Sequence, residues 1–322
     1  MTQEPLWQQA NALATHIVRR SPRILGQIKH RRSQFQGRLL RHWGRSLDLY
    51  CLTLDHASEL GASINRHASQ PRDPLTQVLT QIHARACRAA DEVHCLVEAG
   101  HAHGALKPAR LLYELAVVGY VLGEYGRQPE QNDLVDRYLA HHDTATFKAM
   151  ETYQEHVEAL GQHPFSEEEV DEARQAAETA KQRFGRSIGK QLGWADPLPG
   201  DKQKSTQDLA KLAGIAHLHP YFEWASAETH AGAQGVALNT VATRRGPALR
   251  AGPSVEGIAD PASLALLCLY HCTLALVLHW RPQLGEQAWI HLQVVEELRK
   301  RTDTALGAAH LKADRLPLIG TN

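Results

Sequence analysis

Apolar residues recur at steps of three and four through almost the whole chain, and the two-residue alternation of a half-buried strand is nearly absent. Between 73 and 100 the apolar positions are Leu75, Val78, Leu79, Ile82, Ala86, Ala89, Ala90, Val93 and Val97, which all lie on one side of a helix. The pattern continues in PARLLYELAVVGYVLGEYG, with Pro108 expected in the first turn, and over roughly 130–160. Ser166 with Glu169 and Ser205 with Asp208 have capping-box spacing and predict two further helix starts. A short helix is expected after Pro220, a long loop over 236–256, a core helix over 262–281 and a closing amphipathic helix over 285–305. The fold class that follows is all-α, a helical bundle. The apolar run Ser263–His279 spans 17 residues, short of the roughly 20 that cross a bilayer, so it reads as a central core helix.

Charge divides the chain. Lys plus Arg and Asp plus Glu both number 35, so net charge singles out no partner. From Glu4 to Asp48, however, no acid occurs, while Arg19, Arg20, Arg23, Lys29, Arg31, Arg32, Arg38, Arg41 and Arg45 do. The segment 151–178 carries the opposite sign, with Glu167, Glu168, Glu169, Asp171 and Glu172 clustered. We therefore expect a basic helical extension over 1–70 and a bundle domain over 71–322. In the extension Arg19, Arg20, Arg23, Arg31, Arg32, Arg38 and Arg41 suit a phosphate backbone, and equally an acidic protein surface, including 151–178 of a second copy. Five cysteines without a CxxC fit reduced thiols, and the N-terminus lacks the apolar run of a secretory signal. A cytoplasmic protein without a membrane partner is the expectation.

Two segments concentrate groups able to do chemistry. Arg110 and Glu114 lie one helical turn apart, surrounded by Leu111, Leu112, Leu115, Val117, Val118, Val121 and Leu122. Such a pair is either a structural bridge between helices or an arginine held to grip phosphate beside a glutamate able to move a proton. In YFEWASAETHAG, Ser226 and His230 share a helical face, and His230 precedes a glycine turn. It is either a cap for the last carbonyls or a general acid or base at a helix end.

The stretch VDRYLAHHD places Arg137 five residues before His142, which resembles the Arg-x4–6-His signature of HEPN-type ribonucleases. The resemblance implies an arginine that stabilises phosphate charge and a histidine that handles the ribose or leaving-group proton. With 25 arginines and 20 histidines, chance supplies about five such pairs, and the chain has three, including Arg23–His30 and Arg88–His94. Tyr138 stands where those nucleases more often carry a small polar residue. Metal-holding bundles pair two Glu-x-x-His steps, whereas here only Glu98–His101 occurs, so no metal or other cofactor is expected.

The order of these features resembles a bacterial helical family known as a domain of unknown function. Its members combine an Arg-x-x-x-Glu helix, a helix with basic and histidine residues, and a Tyr…Ser…His helix before a Gly-rich loop. Here those are Arg110 and Glu114, Arg137 with His142, and Tyr221, Ser226 and His230, over about 75–235. The resemblance implies a link to phage-defence or toxin genes and a relation to HEPN nucleases. The leading expectation is an RNA-acting, metal-independent nuclease or toxin-like effector, with Arg110, Glu114 and His230, joined by Arg137 and His142, lining one pocket. RNA or DNA, an operon-encoded protein and a second copy in a homodimer are the expected partners. A non-catalytic sensor subunit using the basic arm, and a metal-dependent bundle enzyme, are the alternatives.

Overall fold

The computed structural model describes residues 4–67, 73–201, 203–237, 240–243, 246–249 and 251–313. In chain order the elements are α1 (Glu4–Arg19), α2 (Ser21–His67), α3 (Pro74–Glu98), α4 (Ala102–Tyr125), α5 (Leu134–Leu160), α6 (Glu167–Phe184), α7 (Thr206–Leu212), α8 (His219–Thr229) and α9 (Ala233–Ala237). Two strands follow, β1 (Thr240–Thr243) and β2 (Gly246–Leu249), then α10 (Ala259–His279) and α11 (Arg281–Ala313). The all-α class holds, with one antiparallel hairpin pairing Thr240 with Leu249 and Thr243 with Gly246. That hairpin occupies part of the stretch expected to be loop. Gly246 opens β2 at φ 108°, a backbone value that favours glycine.

α10 is apolar on nearly every side because it is surrounded. It packs on α4, α3, α2 and α11, burying Leu264, Leu266, Leu269, Cys272, Leu276 and Val277. It is long and apolar enough to cross a membrane, but 67% of its most apolar window is buried within the protein, as a core helix requires. α4 lies beside it, equally apolar except along one edge, and begins at Ala102 rather than at Pro108. Pro108 therefore sits inside the helix, and the carbonyl deprived of its usual donor belongs to Gly104, four residues back.

Both expected capping boxes form. Ser166 Oγ accepts from Glu169 N at 3.2 Å and Ser205 Oγ from Asp208 N at 3.2 Å, while each acid reaches back to the cap amide. His83 is wholly buried, its Nε2 3.1 Å from Thr273 Oγ1 of α10. A Cβ at Gly61 would lie 2.3 Å from the His83 ring, so α2 approaches α3 this closely only because residue 61 has no side chain.

The division expected at residue 70 falls earlier. Leu39, Trp43, Leu47, Tyr50, Ala57, Leu60 and Ile64 of α2 are core residues, with Trp43 Nε1 donating to Val255 O at 2.9 Å and Tyr50 Oη to Ala90 O at 2.8 Å. α2 has 47 residues, about 70 Å of helix, and only its second half is in the bundle. A local periodicity reads the same in both halves; which half finds neighbours is a tertiary matter. α1 and α2 up to about residue 34 form the arm, exposed along almost its entire length.

Candidate active site

α8 runs antiparallel along α4. Tyr113 of α4 meets His219 and Phe222 at the start of α8, while His103 meets Glu228 near its end. On α4 the residues His103, Arg110 and Glu114 share one face, at steps of seven and four, and α8 turns His219, Phe222 and His230 towards them. Pro220 starts α8 within its first turn, and His230 ends it as the C-cap residue.

At the middle of this seam sits Arg110. Its Nη2 donates to Glu114 Oε1 at 3.3 Å, and its Nη1 lies 3.5 Å from Nε2 of His230. The guanidinium stacks over the Phe222 ring, 4.7 Å from its centroid. Its Nε is buried and has no hydrogen-bond partner. A donor withdrawn from water and left unmet is costly, so this arginine is held short of its full complement of acceptors. Because an arginine can only donate, its approach to Nε2 leaves the lone pair of His230 on that nitrogen and the ring proton on Nδ1.

Two histidine–carboxylate pairs flank it. Nδ1 of His103 lies 2.9 Å from Oε1 of Glu228, whose side chain is only 9% exposed against 35% for the imidazole. The acid thus anchors a solvent-reaching ring and leaves its Nε2 free of protein partners. At the other end, His219 is stacked on Phe222, with Nε2 3.1 Å from Glu223 Oε1 and Nδ1 3.4 Å from Tyr113 Oη. Burial pushes the Tyr113 phenol up to about 12, so it stays protonated and donates to Nδ1, which directs the Nε2 proton of His219 to Glu223.

The structure brings Arg110, Glu114 and His230 together, on a seam at which His230 is exposed to solvent. It does not bring Arg137 and His142 to them. Arg137 donates from Nε to Asp133 at 2.8 Å and from Nη1 to Phe184 O at 3.4 Å, and lies over the Phe184 ring, fastening α6 to α5. His142 stays on its own helix, 3.4 Å from Thr146 Oγ1, and its neighbour His141 reaches Lys190 O at 2.9 Å. Ser226 is occupied by the Phe222 carbonyl at 2.7 Å, and Tyr221 is half exposed. His103 and His219, which the sequence does not single out, become site residues through partners more than a hundred positions away or on a neighbouring turn. No local signal distinguishes them; the His219-x-x-x-Glu223 step comes closest. Among the described residues no three His, Cys, Asp or Glu side chains are grouped to hold a metal ion.

Residues 76–244 match the family of unknown function DUF5677. The chain belongs to that family. The DUF5677 match covers a little over half of the 322 residues, from α3 to the hairpin, and so contains every residue of the α4–α8 seam. The arm, α10 and α11 lie outside it. No curated protein and no solved structure matches the chain.

The arginines expected to meet nucleic acid (Arg19, Arg20, Arg23, Arg31, Arg32, Arg38 and Arg41) are all exposed, on α1, on α2 or, for Arg20, in the turn between them, and none enters a salt bridge among the described residues.

Proposed function

We propose that the α4–α8 seam is a phosphodiester-cleaving site acting on RNA without a metal. The observation that carries this reading is the meeting of Arg110 with His230, 3.5 Å apart, on a seam that also holds the His103–Glu228 pair. Cleavage within RNA needs a cation for the charge that builds on phosphorus, a base for the 2′-hydroxyl and an acid for the leaving 5′ oxygen. Arg110 fits the first role, since its Nε is unmet and Glu114 steadies its fork. His230 fits the base: once Arg110 turns from it to the phosphate, the lone pair on Nε2 is free for the 2′-hydroxyl proton. His103 fits the acid, its Nδ1–H held by Glu228 so that Nε2 can carry and give up a proton. The 2′ oxygen bonds phosphorus as its proton passes to His230, and the 5′ oxygen departs with the proton from His103. The products are a 2′,3′-cyclic phosphate and a 5′-hydroxyl end.

The test is purified protein with RNA in the presence of a chelator, with the termini of the products identified. Cyclic-phosphate ends that vanish in Arg110→Ala and His230→Ala support the proposal; full cleavage by both variants removes it. In cells, a toxin-like defence effector slows growth on expression, and His230→Ala relieves that toxicity.

The seven exposed arginines between Arg19 and Arg41, five on the arm with Arg38 and Arg41 just beyond it, favour a second reading, a binding subunit that contacts nucleic acid or an operon-encoded partner. Seven phosphate contacts on duplex DNA would give a log–log salt slope of about −6. A flat salt response excludes this reading.

A further inference from the structure

The arm presents two features at once. Trp7 is 75% exposed, and Leu6, Leu13, Ile17, Ile24 and Leu25 continue its apolar stripe, while no acid interrupts the cations between Glu4 and Asp48. An isolated helix with a bare apolar face is marginal in water and gains stability when that face is covered. Nucleic acid would satisfy the arginines and leave the stripe wet. Pairing two arms side by side would cover the stripe and set cation against cation.

A surface that answers both features is present on the same molecule. α5 and α6 border a groove of about 660 Å³, floored by Ala140, Ala180 and Phe184 and rimmed by Asp143, Asp171 and Glu172. Of its lining residues, Asp171 pairs with Arg174 and the cation Arg183 with Asp136, both at exposed positions where such pairs contribute little. The acids Glu167, Glu168 and Glu169 lie at the start of the same helix, α6. None of the packing that builds the fold joins α1 or the exposed part of α2 to α5 or α6.

We infer that the basic arm of one molecule docks in the acid-rimmed α5–α6 groove of a second copy. The apolar stripe then meets the apolar floor and the arginines meet the rim, which also accounts for a chain of zero net charge whose two surfaces are each strongly charged. Reciprocal exchange closes the assembly at two; a one-way contact extends it.

The full-length chain is followed by sedimentation at low and high salt. We expect association at low salt, weakened at least tenfold at high salt. The arm variant R19E/R20E/R23E and the groove variant D143K/D171K/E172K should each weaken it at least tenfold at low salt, and their combination in one chain should restore it. All these positions are on the surface, and helical content by circular dichroism shows that the variants fold. A monomer at low salt overturns the proposal, as does association that ignores both reversals. So does a monomeric chain carried by its arm to phosphatidylcholine–phosphatidylglycerol vesicles or to RNA.

Discussion

Arg110 and His230 stand 120 residues apart in sequence and meet; Arg137 and His142 stand five apart and do not. Both pairs use the same two side chains on helices of the same bundle. What separates them is the neighbourhood. Arg110 lies in an apolar stretch of α4, between Glu114 and the ring of Phe222, with its buried Nε unmet. Arg137 gives its Nε–H to Asp133 and one Nη1–H to the Phe184 carbonyl, and so serves to hold α6 in place. A guanidinium that clamps two helices to each other does a different task from one that meets a histidine across a seam, whatever its sequence spacing to a histidine.

That contrast can be broken most sharply by activity. Under the proposed mechanism, His230→Ala should lower kcat/KM for RNA by about 10²–10⁴ and Arg110→Ala by about 10²–10³, whereas Arg137→Ala should leave it within twofold. Loss of cleavage in Arg137→Ala, with the fold intact, would reverse the assignment of the two pairs.

A histidine used for packing alone provides the next comparison. Burial holds His83 down to about 4, against 6.5 for an unburied ring. Between those values the unfolded chain binds the proton and the folded chain does not, so stability falls as pH drops from about 6.5 to about 4. The full loss is on the order of 3 kcal/mol. His271, held down to about 4 chiefly by burial, acts in the same direction. Denaturant titrations at pH 7 and pH 5 should show the drop, and His83→Gln should reduce it; an unchanged slope would mean the ring is solvated.

Arg137→Ala should instead cost about 1–3 kcal/mol of unfolding free energy, because it leaves the Asp133 carboxylate and the Phe184 carbonyl without their donor. The smallest effect belongs to His142→Ala, within about 0.5 kcal/mol and without consequence for cleavage, since its ring contacts only a threonine on its own helix. Thermal melts of the two variants side by side distinguish a clamp from a solvated face.

Much of the secondary structure was legible. The capping boxes at Ser166 and Ser205, the periodic helix observed over Pro74–Glu98, the core helix at Ala259–His279 and the helix end at His230 all depend on residues a few positions apart. Part of the site was legible too, because Arg110 and Glu114 are the only charges between Pro108 and Gly123. His103 and His219 were not, since a histidine beside a turn looks the same whether or not a carboxylate from a distant helix comes to meet it. The arm was legible as basic, but not where it stops: Leu39 and Leu25 look alike in sequence, and only the first has neighbours.

Taken alone, the amino-acid order determined what short-range forces decide: helix content, helix ends, the apolar identity of α4 and α10, and the separation of positive and negative segments. Which polar groups face one another was decided only when α8 was laid antiparallel along α4. That choice depends on how apolar faces from across the chain fit together, and no local spacing encodes it.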